Sequence, residues 1–128
     1  MSIRLDKPYS PLDRLILDQL PGQTGVFELA DHTGAVICIG YAGGRSLFGL
    51  RSAIPDTVSD ITSAADDHAK LPDQEKQFPA LPAQFRYEVT TAYLTRYQEL
   101  MMLFQFDKGE LPPFRVEQQI KFGRLSPA

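Results

Sequence analysis

Tryptophan is absent from this chain of 128 residues, cysteine occurs once, as Cys38, and histidine twice, as His32 and His68. A single cysteine excludes an internal disulfide framework, so a reducing compartment is the expected home. One thiol and two separated imidazoles are too few for structural zinc, which wants four clustered nitrogen or sulfur ligands. No apolar run is long enough to cross a bilayer. None follows Met1-Ser2-Ile3-Arg4 either, where Asp6 and Lys7 come at once, so no signal peptide is expected and the cytoplasm is the expected location. Positive charge is also in short supply. The 13 Lys and Arg residues are outnumbered by 16 Asp and Glu, for a net charge of −3 and a pI near 5.3. A protein that coats DNA normally carries a basic field, so that class is disfavoured, although a local basic cleft on an acidic body is not. Internal repeats and low-complexity segments are lacking as well.

What is present is ordinary for one globular domain with a single core: 43% hydrophobic and 23% charged residues, in a length that needs no staples. Residues 11–20, PLDRLILDQL, space Leu12, Leu15, Ile16 and Leu20 as in a helix, with Ser10 as its cap and Pro21-Gly22 as its stop. The stretch GVFELADHTGAVICIG, residues 25–40, reads as a hairpin: β-prone runs at Val26–Ala30 and Ala35–Ile39 around an Asp-His-Thr-Gly turn. A two-residue turn would set Phe27 opposite Cys38 and Leu29 opposite Val36, and a one-residue bulge at Gly34 would shift that register. Ser46 caps a short predicted helix over 47–54, which Pro55 ends. Residues 55–84 form an acidic, Pro-punctuated insertion with one weak amphipathic helix. Phe85–Val89 alternates as a third strand, and an unusually apolar helix follows over 92–107, expected to be mostly enclosed. The tail, 114–128, is expected to add an edge segment or to pack across the body. The predicted architecture is a small α/β (α+β) domain whose three-stranded, mainly antiparallel sheet is flanked by helices, with its core over about 20–113.

Two charged residues invite chemistry. Glu99 stands in the apolar helix, where an unpaired buried carboxylate would cost several kcal/mol. It must therefore reach solvent, pair with Arg96 or another arginine, or serve as the one protein ligand of a magnesium ion completed by water and phosphate oxygens. Arg51, with Arg45 close by, offers planar donors suited to charge developing on phosphorus. Each alone is more often a surface residue.

Taken in order, these residues resemble the GIY-YIG nuclease family. Gly25-Val26-Phe27 stands where the family has Gly-Ile/Val-Tyr, and Cys38-Ile39-Gly40 where it has Tyr-Ile/Val-Gly. Gly49-Leu50-Arg51 and then Glu99 follow in the family's order. The resemblance implies a metal-assisted cut of a nucleic-acid backbone: a tyrosine helps to activate water, the arginine stabilises the pentavalent phosphorus, and the glutamate holds Mg²⁺ or Mn²⁺. The family's arginine can also fall two residues later, where this chain has Ala53. Both signature phenols are replaced here. Phe27 keeps the ring without the hydroxyl, and the short Cys38 reads as a small core residue. Tyr41 is the nearby phenol that would substitute as base.

Three readings follow. In the first, the domain is GIY-YIG-like but catalytically degenerate, a binding or regulatory module for a protein partner or for DNA or another nucleic acid, the latter held by Arg45 and Arg51. In the second, it is an active Mg²⁺- or Mn²⁺-dependent nuclease with an altered base, built on Arg51, Glu99 and Tyr41. The missing phenols weigh against this, since general-base help is often worth about 10²–10⁴-fold in rate. The third is a small α/β interaction domain without nuclease ancestry.

Overall fold

The computed structural model of the chain describes residues 4–44, 46–68 and 81–115. One five-stranded sheet runs through it in the order β1-β4-β2-β3-β5. Three strands are substantial: β2 (Gly25–Ala30), β3 (Val36–Ala42) and β4 (Gln84–Val89). They pair antiparallel with β2 in the centre. Two short edges complete the sheet. β1 (Ser10–Pro11) pairs antiparallel with β4, and β5 (Phe114–Arg115) pairs parallel with β3. The expected α/β architecture is therefore present, with its three-stranded sheet extended at both margins. The start of the tail is an edge strand, as one of its two expected forms had it, while residues 116–128 lie outside the described set. Among the described residues, no helix is long and apolar enough to cross a membrane.

The sheet is covered on both faces. Phe27, Leu29, Cys38 and Phe85 point to one side, where they pack with Leu50, Ile54 and Ile61 of α2 (Leu50–His68) and with Ile16 and Leu17 of α1 (Arg14–Leu17). Val26 and Ile39 point to the other side and meet Tyr97, Leu100 and Met101 of α3 (Tyr93–Lys108). This is the period-2 alternation of a strand buried on both faces, and every residue of β2 is buried.

Four expectations need correction. The helix expected over 11–20 is only the short α1, capped by Asp13 Oδ1 accepting from Leu15 N, because Ser10 and Pro11 are drawn into the sheet edge. The hairpin register also differs: Leu29 faces Cys38, Phe27 faces Gly40 and Ala30 faces Val36. A three-residue turn with Gly34 at φ 92° replaces the two-residue turn, a common hairpin form. A bulge between Leu29 and Ala30 leaves Ile37 unmatched, and Ile37 and Cys38 both enter the α2-side core. Such a bulge adds one residue to one strand and re-aims its neighbours.

Third, Pro55 does not end a helix; α2 passes through it. An interior proline costs about 3 kcal/mol. Leu50, Ile54 and Ile61 are each almost fully buried on one face of α2, and each such side chain contributes about 1.5–3 kcal/mol, so burial outweighs the break. The part of the acidic insertion over 69–80 lies outside the described residues. Fourth, α3 begins and ends within one residue of the range expected for it, yet it is not enclosed. Tyr97, Leu100 and Met101 are buried, whereas Leu94, Met102 and Phe106 stand in solvent.

Candidate functional site

The signature positions are structural in this chain. Phe27 has no exposed surface and Cys38 only 1%, both within the cluster beneath α2. Burial pushes the Cys38 thiol up to about 12, so at neutral pH it carries its proton and cannot act as base. Gly25 has a backbone reason to be glycine. A Cβ there would lie 2.2 Å from the Glu88 carbonyl oxygen and 3.0 Å from Leu50 Cδ1.

The catalytic candidates distribute over both faces. Arg51, on α2, turns its Nε to the carbonyl of Leu20 at 2.8 Å, which ties the start of α2 to the loop after α1. Tyr41 is half-buried on β3 and faces α3, stacked on Tyr93 with ring centroids 5.8 Å apart and edge-on to Tyr97 at 5.0 Å. Glu99, on α3, accepts from Arg96 Nη1. The same guanidinium donates to Glu88 of β4 through Nε at 3.1 Å and Nη2 at 3.1 Å. Burial works against the charged Arg96, but hydrogen bonds to Glu88 and Glu99 outweigh it and hold its pKa above the ordinary value. Pairing with Arg96, one of the alternatives open for Glu99, is what the structure contains. Arg45 lies outside the described residues.

The donors present fit a divalent cation poorly. Among the described residues no group of three or more His, Cys, Asp or Glu side chains could hold a metal ion. At Glu99 a cation would have to compete with a guanidinium already bonded to two carboxylates.

A second charged group was not singled out in the sequence. Glu28 stands on the central strand, only 6% exposed. It accepts from Arg86 Nε at 2.7 Å and from the Tyr9 hydroxyl at 3.3 Å. Arg86 also donates to the Lys7 carbonyl at 3.2 Å and lies over the Tyr9 ring, 4.4 Å from its centroid. Desolvation, followed by the Glu28 charge, pushes the Tyr9 phenol up to about 12. The signal was available: an acidic residue inside the apolar run GVFELA has to find a cation. Glu28, Arg86, Glu88, Arg96 and Glu99 thus form two charged clusters on the α3 side of the sheet, all internally paired.

Residues 3–107 match the model of a family described as "Domain of unknown function (DUF7508)". That span is most of the chain, and the protein belongs to this family. No curated protein and no solved structure matches it.

Proposed function

We propose that this is a GIY-YIG-like domain that has lost nuclease chemistry and acts as a protein-binding module. One observation carries the reading: the two positions where the resemblance calls for tyrosines hold Phe27 and Cys38, both sealed beneath α2. A phenol needs its hydroxyl at water and phosphate to assist hydrolysis, and neither position opens to solvent. The remaining candidates have other partners. Arg51 is engaged by Leu20 through Nε, Glu99 by Arg96, and the Tyr41 ring by Tyr93 and Tyr97.

A protein is favoured over nucleic acid as the ligand. The chain is acidic, the guanidiniums of Arg86 and Arg96 are paired with carboxylates, and the Nε of the exposed Arg51 is bonded to the Leu20 carbonyl. Phosphate backbones are held by cations that are free to release counterions.

The test is a cleavage assay on supercoiled, branched and single-stranded DNA with Mn²⁺, run beside thermal melting with and without the ion. No cleavage and no rise in Tm are expected. Cleavage lost in both Arg51→Ala and Glu99→Gln, together with a Mn²⁺-dependent Tm rise abolished by Glu99→Gln, would overturn the reading. Salt-sensitive retention of DNA without cleavage would replace the protein ligand by a nucleic acid.

A further inference from the structure

The outer edge of β4 is only partly used. β1 pairs with Gln84 and Phe85 alone, so Arg86–Val89 have no outer strand among the described residues. On the inner side, Thr90 N donates to the carbonyl of Thr24, just ahead of β2, at 3.1 Å. Backbone bonding alternates along an antiparallel strand, so Arg86 and Glu88 turn their N–H and C=O toward β2. Phe85, Tyr87 and Val89 turn theirs outward.

The outer ladder stops for a chemical reason. Leu12 N donates to the Ala83 carbonyl at 3.2 Å, and Ser10 lies opposite Phe85. By the same alternation, the next bonded position is Pro8 opposite Tyr87. Proline has no N–H to give. The N-terminal segment leaves the edge there, and Leu5 packs on the α3 side with Val26 and Leu100. The outward backbone groups of Tyr87 and Val89 thus have no ladder partner among the described residues. An open edge of this kind is a template for another strand.

From this edge we infer that the domain holds its partner by strand addition, an extended basic segment of another protein pairing with Tyr87 and Val89 of β4. The inference rests on the reading of the domain as a protein-binding module and names the mode of binding and the chemistry of the ligand. Side chains of an added strand continue the two faces of the sheet. Those opposite Tyr87 and Val89 fall on the α2 side, beside a Val89 side chain that is 42% exposed, which favours apolar residues. The residue between them falls beside Glu88, on the α3 side. The Glu88 side chain is 36% exposed and shares the Arg96 guanidinium with Glu99, so a lysine or arginine is favoured there. The net charge of −3 acts in the same sense, drawing in a basic segment and repelling an acidic one. The segment that fits alternates apolar and basic residues.

Fluorescence anisotropy of a labelled Lys-Val-Lys-Val-Lys-Val peptide, titrated with the full chain, tests the inference. Saturable binding is expected, at least about tenfold tighter than for the peptide with Glu in place of Lys. Methylating the valine nitrogens of the peptide removes the donors that face the edge and should cost at least about tenfold. Methylating the lysine nitrogens, which face away, should leave binding in place. On the protein, Val89→Pro deletes an outward donor at an edge position that tolerates proline. It should weaken binding by at least about tenfold with an unchanged circular dichroism spectrum. Pro8→Val returns the missing donor to the chain's own segment, which should close the Tyr87 position and weaken the peptide by at least about threefold. A wild-type chain that does not bind the peptide would overturn the inference. So would equal affinity for the valine-methylated peptide, or binding indifferent to both Val89→Pro and Pro8→Val. If Val89→Pro does not fold, Pro8→Val and the methylated peptides decide the matter. Self-association in sedimentation that is lost in Pro8→Val would make the occupant a second copy and overturn the choice of partner. Cleavage of DNA with Mn²⁺ by a chain that still binds the peptide would overturn the loss of nuclease chemistry instead, so the two failures are distinguishable.

Discussion

Arg86 on β4 donates through Nε to the carboxylate of Glu28 on the central strand at 2.7 Å, with Glu28 only 6% exposed. A pair this far from water is held as much by the cost of breaking it as by its own attraction. Removing one partner of a buried pair costs about 3–5 kcal/mol, whereas replacing both by apolar residues of similar size is often neutral or better. Arg86→Met should therefore lower unfolding stability by about 3–5 kcal/mol in urea titrations, and Glu28→Leu with Arg86→Met should recover most of the loss. Equal losses in the single and double variants would show that the pair is not coupled.

The two sealed positions at which the resemblance calls for tyrosines make a prediction about adding a phenol there. Phe27→Tyr adds a hydroxyl to a side chain with no exposed surface, and an uncompensated buried hydroxyl costs about 1–3 kcal/mol in proteins. The variant should be less stable by that amount and should remain inactive on DNA with Mn²⁺. At the other position, the native Cys38 thiol is buried with its pKa pushed up to about 12. The thiolate is the reactive form. Alkylation by iodoacetamide at pH 8 should thus be at least ~100-fold slower in the native protein than in urea, followed by mass spectrometry. Comparable rates would mean that the face beneath α2 opens readily.

The strands and α3 were legible in the sequence because each carries its own period: alternation in FRYEV, apolar runs on either side of the Asp-His-Thr-Gly turn, and a long apolar stretch ending at Gly109. What went unread depended on distant partners. Ser10 and Pro11 look like the start of a helix until Gln84 and Phe85 arrive to pair with them. Pro55 reads as a stop unless the burial of Ile54 and Ile61 against the sheet is known. The same holds for the site. Glu99 was conspicuous as a charge in an apolar helix, and its partner Arg96 lay one turn away. Glu28 was equally out of place in its strand, but Arg86 is distant in sequence and Tyr9 lies in a segment without any periodic signal.

Two glycines separate steric need from backbone need. A Cβ at Gly25 would sit 2.2 Å from the Glu88 carbonyl oxygen, a backbone atom between paired central strands that cannot step aside. Gly34 has φ 92° but nothing within 4 Å of the added carbon. Gly25→Ala should cost more than about 3 kcal/mol, at the upper end of overpacking. Gly34→Ala should cost only the left-handed penalty of about 1–2 kcal/mol. Denaturation midpoints order the two directly, and a larger loss at Gly34 would contradict the close approach of β2 and β4.

Asp31 closes the hairpin through one oxygen: its Oδ1 accepts from the Thr33 hydroxyl at 2.6 Å, from Thr33 N at 2.9 Å and from Ala35 N at 3.0 Å. The Thr33 hydroxyl is the main cause, with the Ala35 and Thr33 amides behind it, of a carboxyl pKa held below the ordinary aspartate value of 3.8. A depressed folded pKa means that, on acidification, the unfolded chain binds this proton before the folded one does. The stabilisation is therefore complete above pH 3.8 and is lost as the pH falls through the folded value. Asp31→Asn keeps an acceptor oxygen but has no charge to titrate. Its unfolding midpoint should fall less steeply than the wild type's as the pH drops below about 4, where an unperturbed aspartate takes up its proton. Asp31→Ala lacks both acceptor and charge, so it should be the least stable of the three at pH 7, where the amide of Asn can still receive the Thr33 and Ala35 donors. Parallel acid profiles for the wild type and Asp31→Asn would show that the turn, and not the charge upon it, carries the effect.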